Sequence, residues 1–125
     1  MPASEEAVAL GVAAAAAADE RGATDPVLLE VADVLVVADL FLVVSVSNDR
    51  PLGAVAQAIE DGLHQQGRKA LRREGVPSSG WMLVDFGDLV CHVLHTEQRE
   101  FYALERLWAD VPHRDPASGA VLDAA

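Results

Sequence analysis

The segment from Trp81 to Trp108, WMLVDFGDLVCHVLHTEQREFYALERLW, constrains the fold more than any other part of the chain. Two strand-forming runs meet at Asp85-Phe86-Gly87-Asp88, a tight turn in which glycine supplies backbone angles closed to most residues. The second run, Leu89 to His95, feeds a helix starting at Glu97, with Thr96 as its expected cap. Phe101, Leu104, Leu107 and Trp108 recur at helical spacing and predict a core-facing stripe, while Tyr102, Glu105 and Arg106 project elsewhere. Both tryptophans, the one tyrosine and two of the three phenylalanines fall in this block. Such clustering in an aromatic-poor chain marks either the densest core or a contact surface, and large rigid rings such as Trp81 and Tyr102 are the types that anchor interfaces.

With 125 residues, the chain makes one domain that buries roughly two-thirds of its unfolded surface. Its net charge of -11 leaves nothing to replace the counterions around phosphates, which argues against a general nucleic-acid or direct DNA binder. The acidity favours a basic protein partner, with plain solubility as the alternative. Cys91, the lone cysteine, sits in an apolar strand run and reads as a core residue of a protein from a reducing compartment. The apolar run from Ala7 to Ala18 follows two glutamates and consists mostly of alanine, so it fits neither a signal peptide nor a membrane span. The expected location is the cytoplasm.

Ser4 caps a helix expected to reach Arg21 and stop at Gly22, and its few large side chains predict weak docking. Val27 to Val31 and Phe41 to Ser47 read as buried strands, joined by a hairpin or a short crossover. Asn48-Asp49-Arg50-Pro51 is a helix start, and Leu52, Val55, Ile59 and Leu63 give that helix one buried face before Gly67 ends it. Lys69 to Arg73 is a basic stretch suited to an edge strand, and Gly75 to Gly80 is a turn-rich loop. The proline- and alanine-rich tail is expected to be mobile. Helices interleaved with strands give an α/β fold: a single small domain with a mixed sheet flanked by helices. The organisation is an alanine-rich helical segment at 1–24, the main domain at 25–112 and the tail at 113–125.

Asp85 and Asp88 flank one tight turn, where a metal, a cationic partner or the turn's own amides would relieve their repulsion. The letters Asp85-Phe86-Gly87 match a kinase metal-binding motif by chance, because no glycine-rich loop or catalytic loop accompanies them. His92 and His95, three apart on a strand, point to opposite faces and cannot chelate one ion together, so His92 reads as a buried hydrogen-bonded residue. A nucleotidyltransferase needs carboxylates gathered around Mg²⁺ beside a phosphate loop, and no Asp-x-Asp pair, Walker sequence or Gly-x-Gly-x-x-Gly is present. No catalytic residue, metal site or cofactor is assigned.

The string from Trp81 to Val93, followed by Arg99-Glu100-Phe101-Tyr102-Ala103-Leu104-Glu105-Arg106-Leu107-Trp108, resembles the ribosomal silencing factors, also called the Iojap-like family. Asp39 to Val44, Ser47 to Arg50 and Arg73-Glu74-Gly75 match as well, so the resemblance spans about Val27 to Pro112. It implies a nucleotidyltransferase-like α/β fold without catalytic machinery. It further implies a translation repressor that binds the fourteenth large-subunit ribosomal protein at the intersubunit face and blocks small-subunit joining when nutrients are short. Family members are commonly homodimeric when free. The signature positions are Trp81, Asp85, Gly87, Asp88, His92, Arg99, Tyr102, Leu104, Glu105 and Trp108. Trp81, Asp85, Asp88, Tyr102, Glu105 and Trp108 are assigned to partner binding. Gly87, His92, Arg99 and Leu104 are assigned to structure, with Arg99 positioning the helix. Leu40 stands where the family usually has tyrosine, and Cys91 where it has valine or isoleucine; both keep an apolar character. A catalytic or nucleotide-binding module using Asp85 and Asp88 with Mg²⁺, and a factor in large-subunit assembly, are the alternatives.

Overall fold

In the computed structural model, which describes residues 3–32 and 38–122, a helix precedes the sheet and packs on it. Helix α1 spans Glu5–Glu20, and the Ser4 hydroxyl accepts the Ala7 N–H at 3.1 Å, as the sequence predicts. Weak docking is not what the structure shows. Ala7, Ala14 and Ala18 are fully buried, and small side chains let the helix approach its neighbours closely. A Cβ on Gly11 would lie 3.0 Å from Leu28, and one on Gly62 would lie 3.0 Å from Ala17. Alanine and glycine here shape a close contact instead of leaving a loose one.

Strands β1 (Thr24–Glu30) and β2 (Leu40–Val46) pair antiparallel. Helix α2 (Leu52–Gln65) then crosses over, burying Leu52, Val55, Ile59 and Leu63, and Gly67 follows its end at φ 83°. Asn48 does not cap α2, which begins after Pro51 without a side-chain cap. The short edge strand β3 (Arg72–Glu74) and a single 3-10 turn at Pro77–Ser79 lead to β4 (Trp81–Asp85) and β5 (Leu89–His95). The final helix is two pieces, α3 (Thr96–Tyr102) and α4 (Leu104–Leu107). Strands β6 (His113–Arg114) and β7 (Val121–Leu122) complete the order.

Among the described residues these seven strands form one mixed sheet, in the order β3-β4-β5-β2-β1-β6-β7. Only β2 and β5 run parallel, which the crossover through α2 makes possible. As central strands, both read as nearly continuous apolar runs because both of their faces are covered.

The expected mobile tail at 113–125 is corrected. Residues 113–122 form a hairpin on the edge of the sheet, with Arg114 opposite Leu28 and His113 opposite Leu29; 123–125 lie outside the described residues. Glu30 explains the attachment: its buried carboxylate accepts the Ala3 N–H at 3.0 Å and an Arg114 guanidinium N–H at 3.4 Å. A buried carboxylate requires such partners. Within the described residues, 3–24 and 113–122 therefore pack on the sheet of the central segment.

The two faces of the sheet differ. Leu40, Leu42, Val44, Val84, Leu89, Cys91 and Val93 face α1 and α2 in one large core. The opposite face carries two smaller clusters, one around Leu29, Val31 and Ala38, the other around Val43, Leu94 and Leu104. The helix pieces α3 and α4 and the chain following them pack on this second face, which holds the candidate site.

Candidate partner-binding surface

On the second face a row of rings runs from the interior to solvent. Trp108 meets Phe41 edge-on at 5.9 Å between centroids, and Phe41 meets His92 at 4.6 Å. His92 lies 5.9 Å from Trp81, Trp81 lies 4.7 Å from Tyr102, and Tyr102 lies 5.0 Å from Phe101. Strand pairing builds the middle of the row, because Trp81 stands opposite Leu94 while Leu83 stands opposite His92. Trp81 is half-buried, Tyr102 is exposed, and Phe101 is 80% exposed.

Phe101 corrects the sequence expectation of a core-facing stripe. Ala103 adopts a left-handed conformation, φ 45° and ψ 53°, which breaks the helix after Tyr102. Continuous helical spacing does not carry across that break, so Leu104 turns inward, 8% exposed, while Phe101 stays outside. Trp108 is half-buried and packs beside Phe41, Val90 and Val111, on the core side of the row.

Arg99, on α3, is tied to its surroundings by several bonds. It is 8% exposed, donates to the Asp25 carbonyl and to the Ser45 hydroxyl (2.9 Å), and pairs with Glu105 at 3.3 Å. Glu105 is thus paired within the chain, and its second carboxylate oxygen is buried with no partner among the described residues. Thr96 does not cap α3. Its hydroxyl reaches back to the Val46 carbonyl, and the Asn48 side chain accepts the Glu97 N–H instead.

The Asp85–Asp88 turn lies at the far end of β4 from Trp81, about 13 Å along the strand. The structure therefore does not join it to the aromatic row. Phe86, 2% exposed, plugs the core, and Gly87 takes φ 94°. Asp85 accepts the Gly87 N–H at 2.8 Å and pairs with Arg72 at 3.0 Å. Asp88 pairs with Arg68 at 2.8 Å, and Arg68 also reaches Glu6 and the Phe86 carbonyl. Intramolecular cations relieve the repulsion between the two carboxylates.

One carboxylate does border the row. Glu74 lines a groove with Trp81, Leu83, Gln98 and Tyr102 and pairs with Arg72 at 3.2 Å. Only the strand pairing places Glu74 there, so sequence spacing gives no sign of it. Gly75, next to it, adopts φ 86°, and a Cβ there would sit 2.4 Å from the Trp81 carbonyl oxygen.

His92 is 6% exposed, and its Nδ1 accepts the Trp81 indole N–H at 3.2 Å. Burial pushes its pKa down from 6.5 to about 4, so the ring is neutral at physiological pH. His95 points away and meets the Arg50 carbonyl at 2.9 Å, so the two histidines do not converge. Cys91 is fully buried, and desolvation pushes its thiol pKa up, away from thiolate chemistry. Among the described residues no group of three or more His, Cys, Asp or Glu is placed to hold a metal, and no helix is long and apolar enough to cross a membrane.

This arrangement has known counterparts. A family model described as "Ribosomal silencing factor during starvation" matches residues 3–124, taking in α1 and the β6–β7 hairpin as well as the centre. The ribosomal silencing factor RsfS of Bacillus subtilis is 39% identical over 102 residues, covering 82% of this chain and 86% of that protein. A mouse protein named "Mitochondrial assembly of ribosomal large subunit protein 1" is 30% identical over 92 residues, covering 71% of this chain and 40% of its own. A crystal structure of a Chromobacterium violaceum protein superposes with a TM-score of 0.75 at 27% identity, covering 80% of this chain and 83% of the other. The match along nearly the whole chain, and the shared mixed sheet with its helices, make this protein a member of the ribosomal silencing factor family.

Proposed function

We propose that this protein represses translation by binding the large ribosomal subunit through a basic ribosomal protein, the fourteenth of that subunit, at the intersubunit face. Bound there, it blocks joining of the small subunit when nutrients are limiting. The observation that carries this reading is the exposed end of the aromatic row, Trp81, Tyr102 and Phe101, with Glu74 in the groove beside Trp81 and Tyr102. Exposed rings on an acidic protein suit a partner presenting apolar and cationic side chains. The net charge of -11 steers such a partner and repels bare RNA. Action by occlusion, without catalysis, accords with Asp85 and Asp88 each being held by an arginine of the same chain. An 80% exposed phenylalanine also favours a homodimer in the free cytoplasmic protein.

Sucrose-gradient sedimentation of purified subunits tests the proposal. The protein should comigrate with the large subunit and reduce the fraction of joined ribosomes; normal joining at saturating protein would exclude it. A role in large-subunit assembly is the second reading, favoured by the name of the mouse relative. Depletion would then accumulate immature large subunits during growth on rich medium.

A further inference from the structure

We infer that His92 is the positioning residue of the docking surface: its Nδ1 turns the one hydrogen-bond donor of Trp81 inward and fixes the indole against Tyr102. The inference rests on the docking role proposed for Trp81. The Trp81 Nε1–H meets His92 Nδ1 at 3.2 Å, which leaves the imidazole proton on Nε2. That Nε2 is buried and has no partner among the described residues. An imidazole kept only for packing would be better replaced by an apolar side chain, since an unpaired buried donor opposes folding. What the histidine supplies is the acceptor at Nδ1.

The consequence for recognition is specific. With its N–H satisfied from beneath, Trp81 offers a partner ring surface and no donor. A residue docking on it is then selected for apolar or cationic character, not for a hydrogen-bond acceptor. Phe41 supports the imidazole from the other side at 4.6 Å, so the ring cannot tilt away from Trp81 without displacing the core.

Two variants of nearly equal shape separate this role from packing. His92→Asn keeps an acceptor at the position of Nδ1, and His92→Leu places a methyl group there. Hydrogen exchange of the Trp81 indole N–H, followed by NMR of the full chain, should stay slow in His92→Asn. It should speed up about tenfold in His92→Leu, the loss of one net hydrogen bond. Affinity for purified large subunits should follow, near wild type for the first and about tenfold weaker for the second. Equal protection and equal affinity in both variants would overturn the inference. Trp81→Ala is the control on the docking role: wild-type binding by that variant overturns the docking reading, and is told apart because His92→Leu still frees the indole.

Discussion

Trp81 and Tyr102 meet at 4.7 Å on an exposed edge, and neither fills the main core. Replacing both with alanine should abolish comigration with the large subunit and keep the circular dichroism of the fold, with a lowered melting midpoint because Trp81 also packs on Val43, Leu94 and Leu104 and hydrogen-bonds His92. His92 should reveal itself through pH. Its folded pKa of about 4 lies below the ordinary 6.5, so between these values the unfolded chain binds the extra proton. Its contribution is therefore complete above about pH 6.5 and is lost as pH falls toward 4, up to about 3 kcal/mol. Urea titrations across that window should show stability falling with acid in the wild type and much less in His92→Asn. At Gly75 the geometry is stricter, because a Cβ would meet the Trp81 carbonyl oxygen at 2.4 Å in a backbone conformation other residues avoid. Gly75→Ala should cost about 2 kcal/mol or more of unfolding free energy in the same titration.

Among the elements, the broken last helix holds the clearest unrelieved strain. Ala103 sits in the left-handed region at φ 45°, so Ala103→Gly should raise stability by about 1 kcal/mol, read from the urea midpoint. The same break limits what the sequence makes legible. Strands β2, β4 and β5, the face of α2 and the Ser4 cap all follow from alternation, spacing and capping chemistry, and all are present. Phe101 was misplaced because helical periodicity assumes an uninterrupted helix, and nothing in Phe-Tyr-Ala-Leu announces a left-handed alanine. The docking of α1 was underestimated because small residues look inert in sequence, and close approach requires a second surface to be seen. The hairpin at 113–122 was read as a tail because its strands are two residues each and depend on the distant Glu30 for attachment. For Asp85 and Asp88, spacing shows the carboxylates but not Arg68 and Arg72, which come to them through the fold.

For the whole molecule, a charge of -11 makes association with a basic partner electrostatic in its kinetics. Raising ionic strength from about 0.05 to 0.5 M shortens the screening length severalfold. The association rate with large subunits should then fall by at least about tenfold, while dissociation, set by the aromatic contact, changes less. Stopped-flow measurements at several salt concentrations would separate the two. The parallel pairing of β2 with β5 has a further consequence, for the order of events during synthesis. Leu40 finds its partner Leu89 only after α2, β3 and β4 have been made. A nascent chain that ends before His95 can form the β1–β2 ribbon, but one long edge of β2 stays unpaired. The middle of the sheet therefore closes late, when β5 slots between two strands already synthesised. Chains stalled before that point should be the ones that chaperones and proteases capture.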